Sequence, residues 1–276
     1  MNKNFYAFLL LFTFFTIAFG SMVRAQEGGG VVVSPKRIVF GPGDRILEVL
    51  IANRGDTEQK FRISLVNRAM GEDGQLKETQ TPAEGEFFAS DVLQYSPRQV
   101  VLPPRGTQKV RLMSRLRANS PDGEYRSHLL IQQVKDAGAA TSAKKPEESN
   151  GLGINITAIF GMSLPVILRK GNLEAEAALK NPEIVKVGED SFVKIMVERK
   201  GTKSFMGTVN VYSGSQKIGT LKNVAVYLSN THRTVMVKIG AEFASELSGK
   251  PLRVTYAPEE QNEDAPDAET TFTPGN

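Results

Sequence analysis

The chain has 276 residues, with 34 Lys and Arg against 30 Asp and Glu, which gives a formal net charge of +4. It contains no Cys, so a disulfide, a thiolate metal site, a cysteine nucleophile and a lipid-modified cysteine anchor are all excluded. The two histidines, His128 and His232, lie far apart, and the basic residues are spread along the chain without interleaved aromatic residues. We therefore expect no metal, no cofactor and no nucleic-acid partner.

The first 25 residues have the pattern of a secretory signal peptide. Lys3 is followed by an apolar run over 5–19, and small residues at Ser21 and Ala25 precede the expected cleavage site after Ala25. The alternative is an uncleaved membrane anchor, but the run is shorter than the roughly 20 residues that a spanning helix needs. We expect an exported chain that does not insert into a membrane after the signal is cleaved.

The first part of the mature chain alternates short β-forming segments with Gly, Pro, Asn and Asp turns, which favours a β-sandwich. Pro35 lies inside the first segment and predicts a strand that lies at an edge or changes sheets. In the second segment Leu47, Val49 and Ile51 share one face, whereas residues 68–90 are polar and predict a loop. The predicted strands of this part cover 31–40, 45–52, 61–65, 95–102, 108–113 and 125–134.

A compositional break separates this part from the rest of the chain. Residues 135–151 are rich in Ala, Ser, Lys, Glu and Gly and predict a flexible loop. One long strand, 154–168, follows, and a second all-β domain begins near Arg169. Residues 258–276 are acidic and predict a disordered tail, and one helical turn is expected at 242–247. The predicted strands of the second domain cover 192–198, 207–212, 216–221, 224–228, 234–239 and 252–256.

The sequence contains no catalytic constellation. His128 lies inside a predicted strand, where a structural role is expected, and His232 lies in a turn, where it is expected to be solvated. The glycine clusters at 28–30 and 151–153 precede no predicted helix and therefore do not form a phosphate-binding loop. Paired carboxylates occur in loops and in the tail. We therefore expect a protein that is not an enzyme.

The start of the long strand alternates strictly between apolar and mostly polar or small residues. Its apolar face consists of Ile154, Ile156, Ala158, Phe160, Met162 and Leu164. One interpretation is an ordinary strand whose apolar face belongs to its own core. The other is that some of these side chains are kept for a partner, because an open apolar edge without one promotes aggregation.

Three segments of the first half resemble the periplasmic pilus-assembly chaperones of the chaperone–usher pathway, the PapD-like family. They are 33–40 (VSPKRIVF), 102–112 (LPPRGTQKVRL) and 123–129 (GEYRSHL). The resemblance extends over about 31–169 and is weaker in the second half. It implies an all-β fold of two immunoglobulin-like β-sandwich domains, 26–168 and 169–257, in a boomerang arrangement.

The resemblance also implies a mechanism. Such chaperones lend a strand to a pilin subunit whose own sandwich is incomplete, which is donor-strand complementation. The implied partners are pilus or fimbrial subunits and an outer-membrane usher, and the implied location is the periplasm. The implied donor strand is 152–164, with its client-facing side chains at Ile154, Ile156, Ala158, Phe160 and Met162.

In this family two basic residues bind the terminal carboxylate of the client. Arg37 matches the first of them, but the second, a lysine, falls at Pro165, which has no charge and no N–H. Arg126 and Arg111 are the candidates to replace it, and the alternative is a weaker anchor that depends on Arg37 with its bidentate guanidinium.

Glu124 and Arg169 match two members of an interdomain ion-pair network of the family, and its third member, an Asp, has no clear match at 255–259. Three functions stay open at this point. The first is strand donation to fibre subunits. The second is a structural or scaffolding protein of the same fold without donor activity, which predicts Ile154, Ile156 and Phe160 buried in their own sandwich. The third is a carbohydrate- or peptide-binding module, against which the absence of Trp counts.

Overall fold

The computed structural model describes residues 30–41, 43–134, 160–259 and 267–275, without the side chains of 244–246. The predicted signal peptide, the predicted loop 135–151 and the start of the predicted donor strand lie outside the described residues. Within the described ranges, regular structure consists of β-strands and of short 3-10 helices at Ala89–Asp91 and Ala241–Glu246. None of the helices in those ranges is long and apolar enough to cross a membrane.

Two packed sheets and one hairpin form the first domain. Its strands are β1 (Val31–Ser34), β2 (Ile38–Phe40), β3 (Ile46–Asn53), β4 (Gln59–Val66), β5 (Arg68–Met70), β6 (Leu76–Glu78), β7 (Glu86–Phe87), β8 (Leu93–Ser96), β9 (Gln99–Leu102), β10 (Thr107–Ser114), β11 (Gly123–Val134) and β12 (Gly161–Lys170). One sheet has the order β1-β3-β10-β8 and the other the order β2-β12-β11-β4-β9, with β7 beside β11. Strands β5 and β6 pair with each other as a separate hairpin.

The chain changes sheets at two prolines. Strand β1 pairs with β3, the chain passes Pro35, and β2 then joins the opposite sheet beside β12. In the same way β8 pairs with β10, the chain passes Pro97, and β9 joins the opposite sheet beside β4. Both prolines follow a cis peptide bond. The strand predicted at 31–40 is therefore two short strands in different sheets, and so is the one predicted at 95–102.

Alternation of apolar and polar residues places the core between the two sheets of the first domain. In β3 the side chains of Val49 and Ile51 are fully buried, while Glu48 and Leu50 face outward. Leu129 and Ile131 of β11 meet them from the opposite sheet in the same hydrophobic cluster. The all-β sandwich predicted from the sequence is confirmed.

The second domain is another sandwich with its own core. Its strands are β13 (Ala175–Val187), β14 (Asp190–Gly201), β15 (Phe205–Ser213), β16 (Gln216–Val226), β17 (His232–Lys238), β18 (Leu252–Pro258) and β19 (Ala268–Phe272). They form the sheets β13-β14-β17 and β16-β15-β18-β19. Alternate residues such as Val193, Ile195 and Val197 of β14 are fully buried and pack in this core.

The sequence analysis missed one strand of this domain, and its prediction for the tail is wrong in part. Strand β13 was not predicted, because Ala, Glu and Lys are uncommon in strands and Pro182 interrupts the pattern. The structure places β13 at the edge of its sheet, where the strand has a register shift between Lys180 and Glu183. The predicted disordered tail contains an ordered part, since β19 pairs with β18 and Phe272 packs against the core.

The ordered part of the tail leads to a stability prediction. Replacement of Phe272 by Ala should lower the free energy of unfolding by about 1–3 kcal/mol, because the side chain is partly buried against the core. Thr271→Ala is the matched control, since the Thr271 side chain faces solvent and should cost less than about 0.5 kcal/mol. Urea denaturation of both variants tests this, and equal midpoints would mean that β19 adds nothing to the domain.

Candidate functional site: an open strand edge beside an interdomain cavity

Strand β12 has one edge that is paired along its length and another that is paired at three of its ten residues. Its inner edge pairs with β11 from Gly161 to Lys170. On its outer edge, β2 pairs in parallel with three residues, Val166 to Leu168. Between Gly161 and Pro165 no described strand lies against the outer edge. The first half of β12 is therefore an open edge.

The hydrogen-bond parity of β12 shows which backbone groups this edge presents. The N–H of Gln133 donates to the carbonyl of Phe160 at 2.8 Å, which makes the even-numbered positions of β12 the hydrogen-bonded partners of β11. The N–H and C=O groups of Gly161 and Ser163 therefore point to the open edge. Pro165 is an odd position too, so its missing N–H breaks no bond to β11.

The apolar face of β12 changes its environment along the strand. The Leu164 side chain is buried in the core of the first domain, and the partly buried Met162 packs against the same core. Phe160, the first residue described here, is 72% exposed. Of the remaining side chains predicted to face a client, Ile154, Ile156 and Ala158 lie outside the described residues. The exposed phenyl ring thus stands where the apolar face leaves its own core.

Arg37 lies in the short connection where the chain crosses from β1 to β2. Its Nη2 atom is 3.1 Å from Oε2 of Glu259, which follows the last long strand of the second domain. The side chain of Arg37 is 18% exposed and that of Glu259 is 38% exposed, so the pair is still in contact with solvent. The residue that the resemblance assigns to a client carboxylate therefore holds a carboxylate of its own chain.

The two other predicted anchors, Arg126 and Arg111, are each paired with a carboxylate of their own domain. Arg126 is buried, with its Nη2 2.6 Å from Glu86, and its guanidinium also stacks 4.2 Å from the ring centre of Tyr227. Burial raises the pKa of the Glu86 carboxyl, and the charge of Arg126 offsets part of that shift. Arg126 thus has a structural role, because a buried cation requires its partner.

Arg111 lies on the outward face of the other sheet. Its Nε atom is 3.0 Å from Glu48, which also binds Lys109 at 2.7 Å. The side chain of Arg111 is 72% exposed and lines a different surface cavity from the one beside Arg37. The sequence could not distinguish these arginines, because the distinction depends on which sheet each strand joins.

Glu124 and Arg169 are cross-strand partners on β11 and β12. Arg169 Nε donates to Glu124 Oε2 at 3.0 Å, and the Glu124 side chain is fully buried. The second domain completes the group, since the N–H of Ser204 donates to the same carboxylate oxygen at 3.0 Å and Arg169 Nη2 donates to the Ser204 carbonyl at 2.8 Å. These bonds fix the second domain to the end of the strand that carries the open edge.

The hairpin of β5 and β6 forms a second contact between the domains. The N–H of Met70 donates to Ser229 Oγ at 2.9 Å, and Asn230 Nδ2 donates to the Gly71 carbonyl at 2.8 Å. A small hydrophobic cluster joins the hairpin to both domains through Met70, Ile167, Ala225 and Tyr227. Residues 68–90 were predicted to be a loop, and this prediction is wrong in part, because the short strands β5, β6 and β7 lie within this polar range.

An open cavity of about 720 Å³ lies between the domains, with the hairpin as one wall. Ser163 and Pro165 line it from β12, and Arg37 lines it from the crossing connection. Tyr227 and Arg233 line it from the second domain. The first half of β12 therefore has an open backbone edge and also forms part of the wall of a polar cavity.

His128 forms part of the cavity wall and is fully buried. Both of its ring nitrogens lack a hydrogen-bond partner among the described residues. Burial, together with the charges of Arg126 and Arg68, lowers the pKa of His128 to about 3. The imidazole is therefore neutral at pH 7 and contributes no charge to the cavity.

Similarity to known proteins is found among solved structures. No protein-family model matches the chain. No curated protein matches it either. Similar solved structures include the YadV chaperone, at 10% identity and a TM-score of 0.46 over 88% of this chain and 98% of that one. A structure of Salmonella enterica SafA pilin with the SafB chaperone is 13% identical, with a TM-score of 0.43 over 90% of this chain and 98% of that one.

The CsuC–CsuE chaperone–tip adhesion subunit pre-assembly complex of Acinetobacter baumannii is a third similar structure. It is 12% identical, with a TM-score of 0.46 over 90% of this chain and 99% of that one. The chain is thus similar to pilus chaperones over most of its length, the class that its sequence motifs resemble.

The buried neutral His128 predicts how stability depends on pH. The pKa of His128 in the folded chain, about 3, is below its ordinary value of 6.5, so the unfolded chain binds the proton first as the pH falls. The stability contribution is complete above pH 6.5 and is lost between pH 6.5 and 3. From pH 7 to pH 4, this group should remove about 3 kcal/mol from the free energy of unfolding.

Urea denaturation of the wild type and of His128→Asn at several pH values measures this contribution. The variant has no imidazole to protonate. Between pH 7 and pH 4, it should therefore lose about 3 kcal/mol less of its free energy of unfolding than the wild type does. Parallel pH profiles of the two proteins would contradict the assignment of a neutral, unpartnered imidazole.

Proposed function

We propose that the chain is a periplasmic chaperone that holds a pilus or fimbrial subunit by strand donation and delivers it to an outer-membrane usher. The observation that supports this most strongly is the outer edge of β12, which is open from Gly161 to Pro165, with an exposed Phe160 just before it. The signal-peptide pattern of the first 25 residues supports export to the periplasm. The role requires binding and release, with no catalytic step.

The backbone of the open edge supplies the first part of the interaction. Gly161 and Ser163 each present an N–H and a C=O that a client strand can pair with. Each such hydrogen bond contributes roughly 1 kcal/mol net and does not depend on the client's sequence. The backbone therefore aligns the client strand but does not by itself hold it against an association cost of about 4–15 kcal/mol.

Apolar side chains supply the second part. Burial of a Phe, Ile or Leu side chain contributes about 1.5–3 kcal/mol, so Phe160 with two similar residues contributes about 5–9 kcal/mol. Phe160 is available for this in the isolated chain, whereas Met162 already packs against the core of its own domain. We expect Ile154 and Ile156 to be the other two, and Met162 to contribute little.

Arg37 supplies a charge beside the edge. It lies one strand away from the open half of β12 and lines the same cavity as Ser163. A client strand that pairs with β12 and enters this cavity would bring its terminal carboxylate to a guanidinium, which can donate two parallel hydrogen bonds. Of the three predicted anchor arginines, Arg37 is the one that lines this cavity.

A structural or scaffolding role without strand donation is the second candidate. It is favoured by Met162, which packs in its own core, and by Arg37, which is already paired with Glu259. It also requires Phe160 to be buried in its own domain, and the exposure of that ring favours strand donation instead.

A charged residue at Phe160 tests strand donation directly. Phe160→Asp should reduce the amount of subunit that co-purifies with the chaperone from a periplasmic extract at least tenfold, since a carboxylate would replace about 1.5–3 kcal/mol of apolar burial. Ile46→Asp is the matched control, because Ile46 is also an exposed apolar strand residue, at 54%, but lies on the other sheet.

Quantitative mass spectrometry of the captured subunits, at equal chaperone levels, provides the measurement. Capture by Phe160→Asp equal to capture by Ile46→Asp would exclude strand donation at this edge and leave the scaffolding role.

A further inference from the structure

The interdomain cavity has an excess of positive charge. Among the described residues that line it, Lys36, Arg37 and Arg233 are cationic and Glu259 is a carboxylate. The fourth basic residue of the wall, His128, is a neutral imidazole at pH 7. The three cations exceed the one carboxylate by two charges, and the cavity is large enough for a further anionic group.

Arg233 lies on β17 of the second domain and has unused hydrogen-bonding capacity. Its Nη1 atom donates to the carbonyl of Ala225 at 3.2 Å, but its buried Nε has no partner among the described residues. Within the same part of the chain, no carboxylate lies at ion-pair distance from it. Burial lowers the pKa of Arg233, and Asp73 attracts the guanidinium without pairing with it.

The fold holds this guanidinium in place. The turn of the β5–β6 hairpin packs directly over it at Gly74, where φ is +80° and a Cβ atom would lie 2.3 Å from Arg233 Nε. Any side chain at position 74 would displace the guanidinium, and the backbone conformation itself also favours glycine. The hairpin thus fixes Arg233 at the wall of the cavity.

Further polar groups of the same wall have no partner. The Ser163 hydroxyl and both ring nitrogens of His128 are buried without a hydrogen bond to any described residue. His128 is fully buried. Buried polar groups without partners are rare in folded proteins, so this wall has hydrogen-bonding capacity that the described residues do not use.

The Arg37–Glu259 pair identifies the chemistry of that ligand. A carboxylate from the second domain already lies 3.1 Å from Arg37, and both partners remain partly solvated, so exchange for another carboxylate requires little rearrangement. A guanidinium also matches the planar geometry of a carboxylate better than a lysine ammonium does.

We propose that Arg233 is the second cationic donor of the carboxylate site at Arg37, and that a client carboxylate displaces Glu259 from Arg37 when it binds there. This inference rests on the function proposed above. The second cation is thus contributed by the second domain, across the cavity from Pro165. Glu259 acts as an internal competitor that neutralises Arg37 in the unliganded chain.

The test uses the full mature chain and two nine-residue peptides of alternating Thr and Val, one with a free C-terminal carboxylate and one with a C-terminal amide. Glu259→Gln should bind the carboxylate peptide about two- to fivefold more tightly than the wild type. Arg233→Gln should weaken its binding about tenfold or more. Neither substitution should change binding of the amide peptide.

Matched controls come from ion pairs outside the cavity. Glu269→Gln breaks the pair with Arg253, at 3.0 Å, and Arg105→Gln breaks the pair with Asp56, at 2.7 Å. Both controls should leave the preference for the carboxylate peptide unchanged. Arg233→Lys keeps the charge without the planar fork and should restore part of the binding, which separates a direct role from a loss of folding.

A second measurement does not depend on any variant. In the NMR spectrum of the wild type, the Nε–H signals of Arg37 and Arg233 should both shift with the carboxylate peptide and not with the amide. Equal binding of the two peptides by Glu259→Gln, including no binding of either, would overturn the proposal. So would an Arg233 signal that the carboxylate peptide does not move.

Phe160→Asp separates this inference from the proposed function. If strand donation is correct, that substitution weakens the carboxylate and amide peptides equally. If it changes neither while Arg233→Gln still abolishes the preference for the carboxylate, the carboxylate site exists but strand donation at this edge fails. If Phe160→Asp weakens both peptides but the wild type shows no preference for the carboxylate peptide, strand donation is supported and the proposed role of Arg233 is wrong.

Discussion

Strand β2 is three residues long, and this short length determines which part of β12 keeps an open edge. Three residues of β2 pair with the second half of β12, and the first half keeps an unpaired outer edge among the described residues. An open apolar edge is a liability for a lone protein, because it recruits other strands without specificity. The edge here is short and is interrupted by Pro165, which offers no N–H. Such an edge accepts a strand over a limited length and in a limited register.

The crossing of the first strand links this edge to a charge. The chain leaves one sheet after Ser34, passes Pro35 and enters the other sheet at Ile38, so Arg37 is placed beside β12 and opposite the second domain. The same crossing determines where β2 begins, at Ile38 opposite Val166, and so leaves the preceding residues of β12 unpaired by β2. The crossing therefore determines both the open backbone edge and the position of the charge beside it. The hydrogen bonds among Glu124, Arg169 and Ser204 hold the second domain against the end of β12.

The sequence predicted the sandwich class and, at Pro35, a strand that lies at an edge or changes sheets, because alternation and proline act locally. It did not predict β13, whose Ala, Glu and Lys residues favour other structures, or the order of β19, which is supplied by pairing with β18. The motif that contains Arg126 was recognised, but its burial against Glu86 depends on a neighbouring strand far away in the sequence. Arg233 carried no signal of its own, because its place in the cavity depends on how the hairpin meets the second domain.

Amide hydrogen exchange along β12, with and without the subunit that co-purifies with the chain, tests the central claim most directly. The amides of Met162 and Leu164 point to β11 and serve as internal references, whereas those of Gly161 and Ser163 point to the open edge. If the client strand pairs with this edge, exchange at Gly161 and Ser163 should be fast in the free chain and at least tenfold slower in the complex. Unchanged exchange at these two amides in a stable complex would show that the client is held elsewhere.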